Sequence, residues 1–219
     1  MVGGRPRQFD ADAALDRALE LFWRQGYEGT ALSDLTEAMG INRPSLYAAF
    51  GNKEDLFRKV LDRYVGGPRA FATHALNRPT AVEVAEALMS GTIALTTGPN
   101  TPRGCLLVSH AHACGPDTDT IRDEVIARRT ASTEELCHRL ERARAEGDLP
   151  IEADPKALAY FVTAIIDGIA TQAANGCSHE DLRHISELAL RMWPARTSVW
   201  AADLSRPLYR SRPVRAATS

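Results

Sequence analysis

Between Asp12 and Tyr64 the apolar side chains recur at helical spacing in four short runs, each closed by glycine: Gly26, Gly40, Gly51-Asn52 and Gly66-Gly67-Pro68. Apolar residues three and four apart share one face of a helix, whereas a half-buried strand needs strict alternation. Helices this short are unstable alone, so the four must close over a common core. The first, Asp12 to Gln25, carries Leu15, Ala18, Leu19 and Phe22. Thr30 is the expected N-cap of the second, which turns Leu32, Leu35 and Met39 inward before Gly40 ends it. Asn42 is expected to cap the third, with Pro44 in its first turn and Leu46 and Phe50 stacked on the buried side. Lys53 to Tyr64 makes the fourth, with Phe57, Val60, Leu61 and Tyr64 inward.

The pattern stays helical after the Gly66-Gly67-Pro68 joint, through roughly 81–97, 104–113, 118–146, 155–175 and 180–193, with breaks at Thr97 to Pro102 and Gly115-Pro116. No strand pattern competes, so the predicted fold is all-α. A helix-turn-helix domain over 1–64 with a basic N-terminal arm is expected, then a larger helical domain over 65–193 and a flexible, Arg-rich tail over 194–219. The run 155–175 carries Leu158, Phe161, Val162, Ile165, Ile166, Ile169 and Ala173, a stripe wide enough to cover both a core and a partner.

Net charge is near neutral, with 26 basic against 28 acidic residues for −2, so bulk charge does not mark a nucleic-acid binder. Its distribution is more informative, because Arg5 and Arg7 stand in an acid-free N-terminus. The four cysteines, at 105, 114, 137 and 177, form no C-x-x-C pair, and no signal core or long apolar run is present. A soluble, cytoplasmic protein with free thiols, outside the membrane, is expected. There is no G-x-S-x-G, P-loop, G-x-G-x-x-G or H-E-x-x-H, so no enzyme and no cofactor are expected. A cysteine-dependent enzyme using Cys105 and His110, and a helical adaptor binding through 155–193, are the rival classes.

Two short helices joined by a tight turn at Gly40 outline a helix-turn-helix, whose second helix enters the major groove. Asn42, Arg43, Ser45 and Tyr47 place donors and acceptors opposite Leu46 and Phe50. With F-x-x-x-G-Y-x-x-T at 22–30 and INRPSLYAAFGNKEDL at 41–56, the sequence resembles the TetR family of repressors. The resemblance implies a repressor that binds a palindromic double-stranded operator as a homodimer, paired through helices 155–175 and 180–193. It also implies release by a small effector of unknown identity bound in the C-terminal domain. Position by position, it places Thr30 and Ser33 on phosphates, Arg43, Pro44 and Ser45 against bases, and Tyr47 and Lys53 on the phosphate backbone. Physically, Lys53 and the free N–H groups of the fourth helix would make an anion site, and Arg43 suits a bidentate contact with guanine. Arg5 and Arg7 suit a minor-groove arm or a solubilising tail. Tyr47 also suits a core edge, and Lys53-Glu54 a solvated helix start. The chain departs from the family at Arg43-Pro44 and Ala48-Ala49, so base preference is not inherited.

In the larger domain, Met89, Ile93, Leu107, His110, Phe161, Ile165 and Trp193 are candidate pocket residues or plain core. Asp167 interrupts an apolar stripe and must be paired, hydrated or aimed into a pocket. The stretch RGCLLVSHAHAC at 103–114 gathers two thiols and two imidazoles. Cys105 at a helix start beside Arg103 would favour a reactive thiolate, and it resembles an electrophile-responsive branch of the family. A metal site from His110, His112 and Cys114 is disfavoured by i, i+2 spacing, and small buried thiols are the third alternative. Glu124-Arg128, Glu134-His138 and Glu135-Arg139 read as solvated i, i+4 pairs.

Overall fold

The computed structural model describes residues 9–112 and 119–194. Every regular element among the described residues is an α-helix: α1 (Ala11–Gln25), α2 (Leu32–Met39), α3 (Arg43–Phe50), α4 (Lys53–Gly66), α5 (Phe71–Ala75), α6 (Ala81–Thr97), α7 (Leu106–His112), α8 (Asp119–Ala145), α9 (Pro155–Ala174) and α10 (His179–Arg191). Local chemistry sets the ends of the first helices. Asp10 caps α1, its carboxylate accepting from the N–H groups of Asp12 and Ala13 at 3.0 and 3.1 Å. Gly40, at φ +68°, ends α2 in the left-handed conformation that glycine adopts without steric cost. Asn42 caps α3 by accepting from the Ser45 N–H at 2.9 Å, and Pro44 lies in the first turn.

Two elements differ from the sequence expectation. Thr30 does not cap α2: its side chain is buried and its hydroxyl donates back to the Gly26 carbonyl at 2.6 Å. The cap position is Ala31, whose N–H is taken instead by the Asp34 carboxylate at 3.1 Å. The second difference is α5, whose five residues are too few to carry a periodic signal. Its Phe71 ring lies against Gly91 of α6, where any Cβ would collide with it.

α1 packs on α2 and α4. At the centre Phe57 meets both Phe22 and Tyr27 edge to face, 5.0 Å from each ring, while Phe22 and Tyr27 stack on one another at 6.0 Å. Leu35, Leu46, Leu56 and Leu61 are fully buried around them. Each such side chain contributes about 1.5–3 kcal/mol on leaving water, so shared burial rather than propensity holds the eight-residue α2 and α3. This core does not stop at α4 but continues into Leu95, Cys105, Leu106, Leu107, Ile121 and Val125. A second core joins α6, α8, α9 and α10 through Met89, Ile93, Leu140, Val162, Ile169 and Leu182.

α9 is long and apolar enough to cross a membrane by length and composition. In the fold it packs on α6, α8 and α10, yet most of its residues stay half-buried or exposed. The tail 195–219, Arg5, Arg7 and Cys114 lie outside the described residues.

Candidate nucleic-acid interface

The amphipathic third helix turns Leu46 and Phe50 into the core and leaves Arg43, Pro44, Tyr47, Ala48 and Ala49 exposed, with Ser45 half-buried. Tyr47 is 49 % exposed, so it is not a core-edge aromatic. Asn42 is exposed, but its carbonyl oxygen is committed to the cap, which leaves its NH₂ as the free polar end. Ser33 is exposed on α2, whereas the hydroxyl of Thr30 is buried and occupied. The expectation that Thr30 offers this hydroxyl to a phosphate is therefore corrected: it braces the Gly26 turn behind α2.

Lys53 opens α4 with its ammonium 4.3 Å from the centre of the Tyr27 ring. Burial lowers the Lys53 pKa, while Glu28 and Asp34 act in the opposite sense. The ring holds a partly desolvated cation in one place, where cation–π attraction is strongest. The expected anion site of bare N–H groups is not found in that form. Asn52 caps the Asp55 N–H at 2.9 Å, Asp55 returns to the Asn52 N–H at 3.2 Å, and Glu54 and Asp55 add carboxylates paired with Arg58. The Tyr27 contact was not read from the sequence, since it joins residues far apart in the chain; the only cue is that both belong to the motif.

α1 and α4 are tied together by Arg63, bidentate to Asp16 at 2.7 and 2.9 Å. Both helices are also fastened to the turn before α7. The Trp23 indole N–H donates to the buried Gly104 carbonyl at 3.0 Å, and the Tyr64 hydroxyl donates to the Cys105 thiol at 3.3 Å. The two rings meet edge to face at 4.9 Å. Gly104 sits at φ +90°, and a Cβ there would lie 3.1 Å from that of Ala174. Arg103, expected beside Cys105, instead reaches the carbonyls of Ala173 and Cys177 at 3.4 Å.

A cavity of about 280 Å³ opens beside this junction, between α5, α6, α7, α8 and α9. Of the expected pocket residues, Cys105, Leu107 and Asp167 line it. Met89 and Ile93 belong to the second core, with Phe161, Ile165 and Trp193 packed half-buried against it, the plain-core alternative of the two. His110 is on α7, with its side chain outside the described residues.

Asp167 is paired, its two oxygens 3.2 and 2.5 Å from the guanidinium of Arg129. Glu124 and Arg128 pair as expected at 2.8 Å, but Arg128 is no merely solvated residue: it also lines the cavity and reaches Asp62 of α4 at 2.7 Å. Arg139 leaves its expected partner Glu135 and is buried, donating to the carbonyls of Leu76, Arg78 and Pro79. Among the described residues no group of three or more His, Cys, Asp and Glu is placed to hold a metal.

Residues 14–60 match a family model described as bacterial regulatory proteins, tetR family, and residues 81–185 match one described as tetracyclin repressor-like, C-terminal domain. The HTH-type transcriptional repressor ComR of Escherichia coli K12 is 41 % identical over 195 residues, covering 87 % of this chain and 92 % of ComR. The repressor BdcR of the same strain is 28 % identical over 83 % of this chain and 87 % of its own length. A cysteine mutant of the regulator CifR, solved with 26-bp double-strand operator DNA, superposes with a TM-score of 0.83 at 42 % identity, covering 87 % of this chain and all of the CifR chain.

Proposed function

Because the chain belongs to the TetR family of bacterial regulatory proteins, we propose that it is a one-component repressor that binds a two-fold operator as a homodimer and leaves it when a small effector fills the larger domain. It regulates transcription and is not an enzyme. The observation that carries the DNA-binding reading is α3 itself, a short helix capped at Asn42 and seated on Leu46 and Phe50, with Arg43 and Tyr47 turned outward. Arg43, Pro44 and Ser45 read bases, and Tyr47, Ser33 and Lys53 grip phosphates. Arg5 and Arg7 add a basic arm in the neighbouring minor groove.

The dimer forms through α9 and α10. Tyr160 at 58 %, Leu188 at 61 % and Met192 at 55 % exposure are large side chains left in water on these helices. A second copy covers them by a self-complementary two-fold contact. The same face explains why an apolar helix such as α9 is only partly covered within one chain, and a cytoplasmic location follows from DNA as the target.

A redox reading through Cys105 has less support, since the thiol is buried and Arg103 is turned to the carbonyls of Ala173 and Cys177 rather than to it. The test is titration of a labelled fragment of the protein's own upstream DNA, with unrelated DNA as competitor, repeated with Tyr47→Ala. Competitor-resistant binding that Tyr47→Ala weakens by about tenfold or more, with the dimer intact, is expected. Failure to select any sequence from a random library would sink the repressor reading.

A further inference from the structure

Among the described residues, the cavity beside the α4–α7 junction has one arginine, Arg69, without a carboxylate partner. Its lining includes three guanidinium groups, of Arg69, Arg128 and Arg129. Arg129 is closed bidentately by Asp167, and Arg128 is closed by Asp62 and Glu124. Arg69 is half-buried, and its side chain makes one long hydrogen bond, 3.5 Å to the Ser132 hydroxyl, with no carboxylate partner among the described residues. Glu135, the remaining acid of the lining, is exposed. The lining also includes the apolar side chains of Leu88, Leu95, Leu107 and Ile166.

Building on the effector reading above, we propose that this cavity takes a small organic monocarboxylate with an apolar body, its carboxylate held by Arg69 and its body against Leu88, Leu95, Leu107 and Ile166. A planar guanidinium with most of its five donors uncommitted matches a carboxylate bidentately. A volume of about 280 Å³ lies at the small end of ligand cavities, which run from about 300 Å³ upward, and so limits the ligand to a small molecule.

The position of Arg69 also gives the ligand a lever. The Arg69 backbone N–H donates to the Tyr64 carbonyl at 2.9 Å, so a carboxylate that draws Arg69 toward α8 acts on the last turn of α4. Tyr64 packs on Trp23, and through this pair α1 and α4 follow.

The experiment is calorimetric titration of the purified full-length protein with benzoate, hexanoate and octanoate, each beside its neutral amide, on the native chain, Arg69→Gln and Arg69→Lys. The expected result is that at least one acid binds, its amide binds about tenfold more weakly or not at all, and Arg69→Gln loses a similar factor. Arg69→Lys, which keeps the charge without the fork, retains an intermediate affinity and controls for folding. The proposal is overturned if none of the three acids binds, if amides bind as well as acids, or if folded Arg69→Gln binds the acids unchanged. An amide that binds and releases operator DNA would overturn the carboxylate while leaving the effector reading intact.

Discussion

Tyr64 is the residue whose removal tests the junction most directly. Its ring is fully buried and its hydroxyl donates to the Cys105 thiol at 3.3 Å. Tyr64→Phe keeps the ring contacts with Trp23 and removes the hydrogen bond to Cys105, at a cost at neutral pH of about 0.5–1.5 kcal/mol.

Alkaline pH then narrows the gap. Burial raises the Tyr64 pKa well above 10, with the Cys105 thiol adding to the shift. For an acid whose folded pKa lies above its unfolded value, the folded state binds more protons. The stability this gives is complete below the unfolded pKa of about 10 and is lost as pH rises from there toward the folded pKa. The native chain therefore loses about 1.4 kcal/mol per pH unit above 10 from this one group. Tyr64→Phe has no such group, so the gap between the two proteins narrows by the same amount per unit. Urea unfolding followed by far-UV circular dichroism, at one protein concentration and at pH 8, 10 and 11, measures the gap. Curves that stay parallel from pH 8 to 11 would refute the assignment of a buried, hydrogen-bonded hydroxyl.

Three further outcomes follow from the same geometry. Lys53→Gln removes the cation over Tyr27, so DNA affinity should fall for all sequences alike, with the slope of log affinity against log salt shallower by about one; an unchanged slope removes Lys53 from the phosphate contacts. Gly104→Ala must place a side chain at φ +90° and 3.1 Å from Ala174, and should cost about 1–3 kcal/mol in urea unfolding. Stability equal to the native chain would show that the turn relaxes freely. Asp167→Asn leaves Arg129 without its counter-charge at a site about a quarter exposed, for a loss of about 1–2 kcal/mol after allowing for solvent screening. In a double-mutant cycle with Arg129→Gln, a coupling near zero would contradict the pairing.

The sequence by itself determined the elements whose causes are local. Periodicity within one or two turns, the Asn42 cap and the glycine stops specified α1 to α4 nearly to the residue, and from the third helix alone Arg43 and Tyr47 could be set opposite Leu46 and Phe50. The cap of α2 is not set locally, because Ser, Thr and Asp are all good caps, and only packing decides that Thr30 turns inward while Asp34 serves Ala31. Asp167 was legible as a problem to be solved, a carboxylate in an apolar stripe, but not its solution, since Arg129 lies 38 positions away.

What tertiary structure alone decided is the charge state of the cavity. Arg128 and Arg69 look alike in a sequence rich in arginine. Folding brings Asp62 to the first and leaves the second facing Ser132, 63 positions on, with no carboxylate partner among the described residues. A helix face repeats every three or four residues, so local pattern reports which side is buried. Which charges meet across helices depends on how those faces dock, and that information resides in no single segment.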